Sequence, residues 1–383
     1  MSYNTRSKIG RVAIIGYALD KYVDESPGDQ EDMGFHSAKR AMKMARIDRE
    51  EITSVHSSTM DFFDGVTISQ GILLTAGGAY NRDSTRIQNG GLFSLFSACA
   101  SILSGKSEVA VVISADAVEV DTLKVGQAST HYFLERPLGL NQIKSYALLS
   151  NLFMEKYNLT EEIIHIASAK NYEAGEKNEY SQIKSGYSID DVRKSQMVSY
   201  PLRLHDVVSG PAYGAATIIL TSEERAKQYT NSPIWITGFG ASTNSINFDN
   251  LYEMLALKKA ARQAYEYAGV KEPANDLDVV ELDNPFSPFE IMAYEALGIC
   301  EKGGAIDLLN NRITWPGGKL PVNPSGGTLC TNASNSGGLF RALQAAMYIE
   351  KKGKGKAAVH DSDMVIGIGG DSHAVMILEK EEK

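Results

Sequence analysis

Cysteine is scarce in this sequence. Its 383 residues contain three, Cys99, Cys300 and Cys330, which stand too far apart to form a CxxC pair. This spacing excludes a disulfide framework and a cysteine-based zinc site. The seven histidines are also scattered, and no two of them share metal-ligand spacing on one helix. We therefore expect reduced thiols, no metal and no resident cofactor.

Basic residues and long apolar runs are lacking too. Lys and Arg number 38 against 47 Asp and Glu, which gives a net charge of -9. This balance and the absence of a local basic run argue against a nucleic-acid surface. No apolar stretch approaches the roughly 18 residues of a membrane span, and the N-terminus has no signal-peptide pattern. We expect a cytoplasmic protein with neither nucleic-acid nor membrane partners.

An internal repeat is the most informative feature that the sequence does contain. An alanine-spaced helical segment at 38–45 matches a second one at 261–268, and Gly-Gly-Leu-Phe at 90–93 recurs without change at 337–340. Two matches in the same order, in the same kinds of element, predict a duplication. Each Gly-Gly-Leu-Phe opens an Ala-rich helix that leads into a strand. These strands are predicted at 109–114 and 364–368.

The repeat suggests where the chain divides. A polar connector at 222–232 separates the strand that closes the first half from the strand that opens the second. We predict an N-terminal half at 1–225 and a C-terminal half at 233–383. Within the first half, residues 117–200 exceed an ordinary crossover and predict an inserted cap. Helical patterns in this cap lie at 140–157 and 161–175.

Several stretches carry a resemblance to a known family. Residues 279–286 read Val-Val-Glu-Leu-Asp-Asn-Pro-Phe, residues 318–327 read Gly-Lys-Leu-Pro-Val-Asn-Pro-Ser-Gly-Gly, and residues 200–206 read Tyr-Pro-Leu-Arg-Leu-His-Asp. With these the chain resembles the thiolase superfamily over nearly its whole length, particularly its sterol-carrier-protein-type and archaeal acetyl-CoA acetyltransferase-like branch. The resemblance implies an α/β thiolase fold, with two duplicated βαβαβαββ halves in an αβαβα layered arrangement, and a homodimer.

Members of this family bind acyl-CoA and make or break a carbon–carbon bond beside the thioester. Their nucleophile is a cysteine at a helix N-terminus, where the helix dipole and free N–H groups lower the thiol pKa. Alignment with the family places that cysteine at Gln88 or Asn89, next to Gly90. Neither side chain forms a thioester. The resemblance thus implies an active-site location without its nucleophile.

The other catalytic positions of the family are changed as well. Its first histidine falls at Asp283, its second at about Ala333, and its last group, a Cys or Asn, at about Gly367. A carboxylate is not an equivalent oxyanion donor, and alanine has no acid–base chemistry. The pocket positions that the resemblance implies are Gln88, Asn89, Gly90, Asn284, Asn332, Ala333, Gly367 and Gly369.

Three side chains remain as candidate catalytic groups. Asp283 is a possible general base if burial raises its pKa; alternatively, Asp283 and Asn284 cap a helix that starts near Pro288. Cys330 and His373 fall in loops that border the active site in the family, so a relocated Cys–His pair is the second option. Its alternative is a packed thiol and a surface histidine.

Three functions follow from the loss of the reactive positions. The first is a catalytically degenerate subunit of an acyltransferase or aldolase-type complex, with a coenzyme A thioester as ligand and a small OB-fold zinc-ribbon protein as partner. The second is an enzyme with altered carbon–carbon chemistry, such as retro-aldol cleavage of a β-hydroxyacyl-CoA with Asp283, His373 or another group as base. The third is an acetyl-CoA acyltransferase whose nucleophile has moved to Cys99 or Cys330.

Overall fold

The computed structural model describes residues 10–117, 130, 132–133, 135–243, 251–363 and 372–382. The strands in these residues are β1 Val12–Leu19, β2 Ser54–Ser58, β3 Asp83–Ile87, β4 Val109–Asp116, β5 Met197–Ser199, β6 Leu202–Arg203, β7 Gly214–Ser222, β8 Ile234–Thr243, β9 Val279–Glu281, β10 Gly355–Asp363 and β11 Ser372–Lys380.

The described α-helices connect these strands and form the cap. They are α1 Gln30–Ala45, α2 Asp61–Asp64, α3 Gln70–Ala76, α4 Gly91–Leu103, α5 Gln142–Tyr157, α6 Glu162–Lys177, α7 Ile189–Lys194, α8 Glu223–Tyr229, α9 Leu255–Ala268, α10 Pro273–Asp276, α11 Ser287–Ala296, α12 Ala305–Asn310, α13 Gly327–Cys330 and α14 Gly337–Lys352. None of these helices is both long and apolar enough to span a bilayer.

One mixed sheet joins both halves of the chain. Its strand order is β3-β2-β4-β7-β1-β8-β11-β10-β9, with β1 and β8 antiparallel at the centre. Read outward from this centre, β1-β7-β4-β2-β3 is mirrored by β8-β11-β10-β9. Val322 makes a parallel bridge to Val280 and so takes the place that β3 has in the first half. Both halves therefore share one strand topology, as the duplication predicts.

Three apolar clusters define the layers of the fold. Helices α4 and α14 pack against each other, and their core joins residues from the strands of both halves. Helices α1 and α3 cover the outer face of the first half. On the outer face of the second half lie α9 and α11, and α11 also packs against the cap helices α5 and α6. The two central helices thus begin between the halves, where residues from both can meet.

Helices α1 and α9 approach the sheet closely because strand glycines face helix alanines. A Cβ added to Gly16 in β1 would lie 2.7 Å from the Ala41 carbonyl oxygen, and one added to Gly238 in β8 would lie 2.3 Å from that of Ala264. Any larger strand residue would push the helix away. The segments 38–45 and 261–268 therefore repeat because each presents small side chains to a strand glycine.

Most predicted elements are found, with two differences. The helical patterns at 140–157 and 161–175 correspond to α5 and α6, and the connector at 222–232 contains the short helix α8. The strand after α14 is β10, which ends at Asp363. The strand predicted at 364–368 lies outside the described residues. An apolar run suggests a strand there, whereas β10 itself contains polar residues at its C-terminal end.

Candidate functional site

A carboxylate from the second half occupies the N-terminus of α4. Asp361, near the end of β10, accepts a hydrogen bond at Oδ2 from the backbone N–H of Leu92, 3.0 Å away. A Cβ added to Gly90 would lie 2.2 Å from this oxygen, and one added to Gly338 at the start of α14 would lie 2.1 Å from it. Glycine at both places makes room for the carboxylate, which the helix dipole of α4 stabilises.

Arg341 of α14 holds this carboxylate in place. Its guanidinium forms an ion pair with Asp361, and its Nη1 lies 3.3 Å from Oδ1 of a second carboxylate, Asp283. The same nitrogen donates to Thr328 Oγ1 at 2.7 Å, and Nε donates to the His360 carbonyl at 3.1 Å. Arg341 is 3% exposed. Burial raises the pKa of Asp361, although the attraction of Arg341 opposes this change.

Asp283 lies at the accessible edge of this group. It follows β9 and accepts hydrogen bonds from the hydroxyls of Thr328 and Ser362, the latter at 2.6 Å. Asp283, Thr328 and Ser362 keep exposures of 7%, 6% and 8%. We call Arg341, Asp283, Asp361, Thr328 and Ser362 the Arg341 cluster. From the side of Asp283, Thr328 and Ser362 it offers mainly hydrogen-bond acceptors.

The helix-cap interpretation of Asp283 and Asn284 is wrong. Helix α11 begins after Phe286, and no side chain caps it. Asn284 instead faces α13, where its Oδ1 accepts from the backbone N–H of Thr328 at 2.8 Å. The reason is tertiary: β9 ends at Glu281, and the chain after it runs beside α13 before α11 starts. The free N–H groups of α13 are therefore the nearer donors.

His373 is buried, so the prediction of a surface histidine is wrong. It lies on the inward face of β11 with an exposure of 1%. Its Nδ1 lies 3.0 Å from Nε2 of His360 on the neighbouring strand, and both rings lie near Phe289. Nδ1 of His360 has no partner in the described residues. Burial lowers the pKa of His360 well below its usual value, so this ring is neutral at pH 7.

The two candidate cysteines have the character of packing residues. Cys330 is fully buried against Tyr172 and Leu329, and its Sγ lies 3.4 Å from the Asn171 carbonyl rather than at an imidazole. Cys99 is fully buried within α4. Burial raises the pKa of both thiols far above their usual value. Neither is a thiolate at neutral pH, and the thiolate is the reactive form.

The other predicted pocket residues have ordinary polar or apolar contacts. Gln88 is exposed and accepts from Arg86, and Asn89 accepts from the backbone N–H of Gly90. The side-chain amide of Asn332 donates to the Ser209 carbonyl at 2.8 Å. Ala333 is buried in an apolar cluster with Tyr22 and Phe340. Gly367 and Gly369 lie outside the described residues.

Sequence reasoning missed most of the Arg341 cluster. The repeat held the signal: extended from Gly-Gly-Leu-Phe, it pairs Arg341 with Ser94 and Asp361 with Ser114. Two small polar residues in one half are thus replaced by opposite charges in the other.

Among the described residues, no group of three or more His, Cys, Asp or Glu side chains is placed to hold a metal ion.

Comparisons with known proteins agree with this fold. Residues 240–380 match the family described as thiolase C-terminal domain-like. The acetyl-CoA acetyltransferase of Methanothermobacter thermautotrophicus is 27% identical over 329 residues, which cover 82% of this chain and 84% of that protein. Sterol carrier protein 2 of Gallus gallus is 33% identical over 184 residues, which cover 46% of this chain and 33% of that protein.

A solved structure shows the same architecture over the whole chain. The Ltp2-ChsH2(DUF35) aldolase superposes with a TM-score of 0.82 at 20% identity and covers 98% of this chain and 100% of that one. At this identity the likeness concerns the fold alone. Together with the mirrored strand order and the layered helices, it confirms the fold class predicted from the sequence.

Proposed function

Because the chain belongs to the thiolase superfamily, we propose that it is an acyl-CoA-binding subunit that keeps the family's fold without its cysteine chemistry, within an acyltransferase or aldolase-type complex. The acetyl-CoA acetyltransferase relative supports a coenzyme A thioester as the ligand. No cysteine stands at the start of α4, and the two fully buried thiols lie elsewhere.

The carboxylate of Asp361 at the N-terminus of α4 carries this proposal. A helix N-terminus lowers a thiol pKa because its N–H groups and dipole favour a negative charge. Here the Leu92 N–H already binds Asp361. A thiolate or an oxyanion at the same place would meet a carboxylate instead of free donors. The site is therefore filled by the protein's own anion.

The loss of oxyanion donors gives further support. Stabilising an enolate or a tetrahedral oxyanion requires positioned donors. Asp283 and Ala333 stand where the family has histidines. The amide nitrogen of Asn284 donates to Glu290, and that of Asn332 donates to a backbone carbonyl. Each of these amides already donates a hydrogen bond within the protein.

The partner is proposed from the structural neighbour. The aldolase that shares this fold is named for two components, Ltp2 and ChsH2(DUF35). By analogy, this chain would form a homodimer and bind a small OB-fold zinc-ribbon protein that completes the active complex. Co-purification of the tagged chain from its native source, followed by mass spectrometry, tests this part of the proposal. Recovery of the chain alone at several salt concentrations would contradict it.

Intact-protein mass spectrometry and calorimetry test the central proposal. After incubation with acetyl-CoA or acetoacetyl-CoA we expect measurable binding, no acetyl adduct and no thiolysis. An adduct on Cys99 or Cys330 together with turnover would make the chain an ordinary acyltransferase. Absence of binding to any coenzyme A thioester, with and without a partner, would refute the acyl-CoA subunit.

A pair of variants tests the role of Asp361 directly. Asn89→Cys restores a thiol at the family's nucleophile position, and Asn89→Cys/Asp361→Ser also removes the carboxylate. We expect iodoacetamide to alkylate the introduced thiol faster in the double variant, because its thiolate no longer faces a negative charge. Equal alkylation rates in the two variants would show that the negative charge of Asp361 has no effect on a thiolate at this position.

One observation favours a second function, retro-aldol cleavage of a β-hydroxyacyl-CoA: Asp283 keeps an exposure of 7%, against 2% for Asp361 and 3% for Arg341. As base it would take the hydroxyl proton, the Cβ–O bond would become the carbonyl of the released product as the Cα–Cβ bond breaks, and the resulting thioester enolate would regain the proton from Asp283. Both carboxylate oxygens of Asp283 already accept hydrogen bonds from the Thr328 and Ser362 hydroxyls, so this function ranks second. Release of a carbonyl product that Asp283→Asn abolishes and Ser104→Ala retains would establish it.

A further inference from the structure

A lysine of the cap is fully buried and forms an ion pair with a buried glutamate. Lys170 of α6 and Glu290 of α11 are both 0% exposed, and Lys170 Nζ lies 2.7 Å from Glu290 Oε1. Nζ also donates to the Val322 carbonyl. Burying an ion pair is costly, and it persists only where geometry and further hydrogen bonds satisfy both groups. The pair joins the cap to the second half.

The Glu290 carboxylate also accepts hydrogen bonds from several elements. Its Oε2 accepts from the side-chain amides of Asn171 at 2.7 Å and Asn284 at 3.0 Å. Its Oε1 accepts from the hydroxyl of Tyr294. The buried carboxylate is thus surrounded by donors from α6, from α11 and from the chain after β9. Of these donors, Asn284 is the one that reaches the Arg341 cluster.

The Asn284 amide connects the Glu290 carboxylate to α13 and the Arg341 cluster. Its Nδ2 must face the Glu290 carboxylate, so its Oδ1 faces α13 and accepts from the Thr328 N–H at 2.8 Å. A Cβ added to Gly327 would lie 2.2 Å from Oδ1, so the amide fits tightly against α13. Thr328 in turn donates its hydroxyl to Asp283 and accepts from Arg341.

We propose that Lys170 is a positioning residue for the candidate site. By balancing the charge of Glu290 it fixes the orientation of Asn284, and through Asn284 it sets α13, Thr328 and Asp283. The cap and the polar edge of the site then behave as one unit. The coupling rests on this geometry alone; only the meaning of the site rests on the proposed function.

Hydrogen exchange of the ligand-free protein tests the coupling. Lys170→Met/Glu290→Gln removes both charges at similar volume, so neither partner is left as an orphan charge in the core. We expect peptides that cover α13 to exchange about tenfold faster. Peptides of α1 and α3 should keep their protection, because these helices pack in a separate apolar cluster on the outer face of the first half.

An exposed pair on the same helix supplies the control. Lys177 and Glu173 of α6 lie 3.0 Å apart, their side chains are 63% and 32% exposed, and Glu173 also pairs with Arg312. Lys177→Met/Glu173→Gln should leave exchange in α13 unchanged. Unchanged α13 exchange in the buried double variant would overturn the proposal. So would an equal loss of protection across α6, α11 and α13, which would indicate a merely structural pair.

A binding measurement separates this inference from the proposed function. If the wild-type protein binds acetoacetyl-CoA, the buried double variant should bind it more weakly, and the exposed control should match wild type. If the wild-type protein binds no coenzyme A thioester, the proposed function fails while the exchange result still decides the coupling. Faster α13 exchange with wild-type affinity would refute a positioning role at the ligand site.

Discussion

The two halves of the chain place different chemistry at equivalent points of one scaffold. In the first half, Ser94 of α4 and Ser114 of β4 donate to the carbonyls of Ser57 and Ser58, at 3.0 Å and 2.8 Å, within their own half. In the second half, the corresponding Arg341 and Asp361 form a buried ion pair that reaches across to α4. The duplication is thus most asymmetric where the candidate site lies.

Removing the positive charge of Arg341 from the second half should produce the largest loss of stability. Arg341→Met leaves Asp361 and Asp283 buried without their cation, and we expect a loss of about 3–5 kcal/mol in the free energy of unfolding. Ser94→Ala, at the equivalent point of the first half, removes one hydrogen bond and should cost about 1 kcal/mol. Urea denaturation of both variants measures the difference. Equal losses would mean that the Arg341 ion pairs contribute no more to stability than the Ser94 hydrogen bond.

Each half also buries an acid whose ionisation opposes folding. Burial raises the pKa of Asp116 in β4 and of Glu281 in β9 to about 7 in both cases. Unfolded carboxyls titrate near pH 4. The folded state therefore holds a proton that the unfolded state loses, and stability falls as pH rises from about 4 to 7, by at most about 1.4 kcal/mol per pH unit for each group.

Neutral variants should remove this slope from one half at a time. Asp116→Asn and Glu281→Gln cannot ionise, so the stability of each variant relative to wild type should rise between pH 5 and pH 7. Unfolding free energies at three pH values in this range measure it. Each variant also loses a carboxylate acceptor, which shifts its curve by a constant. Curves parallel to wild type would place the raised pKa on another group.

A smaller effect should come from the glycines that accommodate Asp361. Gly90→Ala puts a methyl group against the Asp361 carboxylate and should cost about 1–3 kcal/mol. Gly71→Ala in α3, where a Cβ meets nothing within 4 Å, should stabilise the helix by about 0.5–1 kcal/mol. In an Asp361→Ser background the cost at Gly90 should shrink. A full cost in that background would identify another clash.

The sequence was sufficient for the features that depend on local backbone needs. Gly-Gly-Leu-Phe and the spaced alanines are repeated because close packing requires small residues there, so the duplication and the fold could be predicted. The missing nucleophile was also visible, since Gln88 and Asn89 are not cysteine. These inferences need only neighbouring residues and a register.

The features that could not be predicted from the sequence depend on contacts between residues far apart in the chain. Asp361 reaches α4 only because α4 and α14 cross at their N-termini, and the carboxylate and Leu92 are 269 residues apart in sequence. Asn284 caps α13, 44 residues away, rather than the helix that follows it. His373 is buried by the inward face of β11. No pattern within a short window contains these contacts.

The smallest change is expected at the thiols, one in the first half and two in the second. Cys99 and Cys330 are fully buried, whereas Cys300 is half-buried and burial raises its pKa to about 12. Iodoacetamide at pH 8 should therefore modify Cys300 slowly and the other two only after unfolding in urea, because alkylation needs an accessible thiolate. Peptide mass mapping measures this. Native modification of Cys330 before Cys300 would show a reactive thiol in the second half and restore the relocated nucleophile.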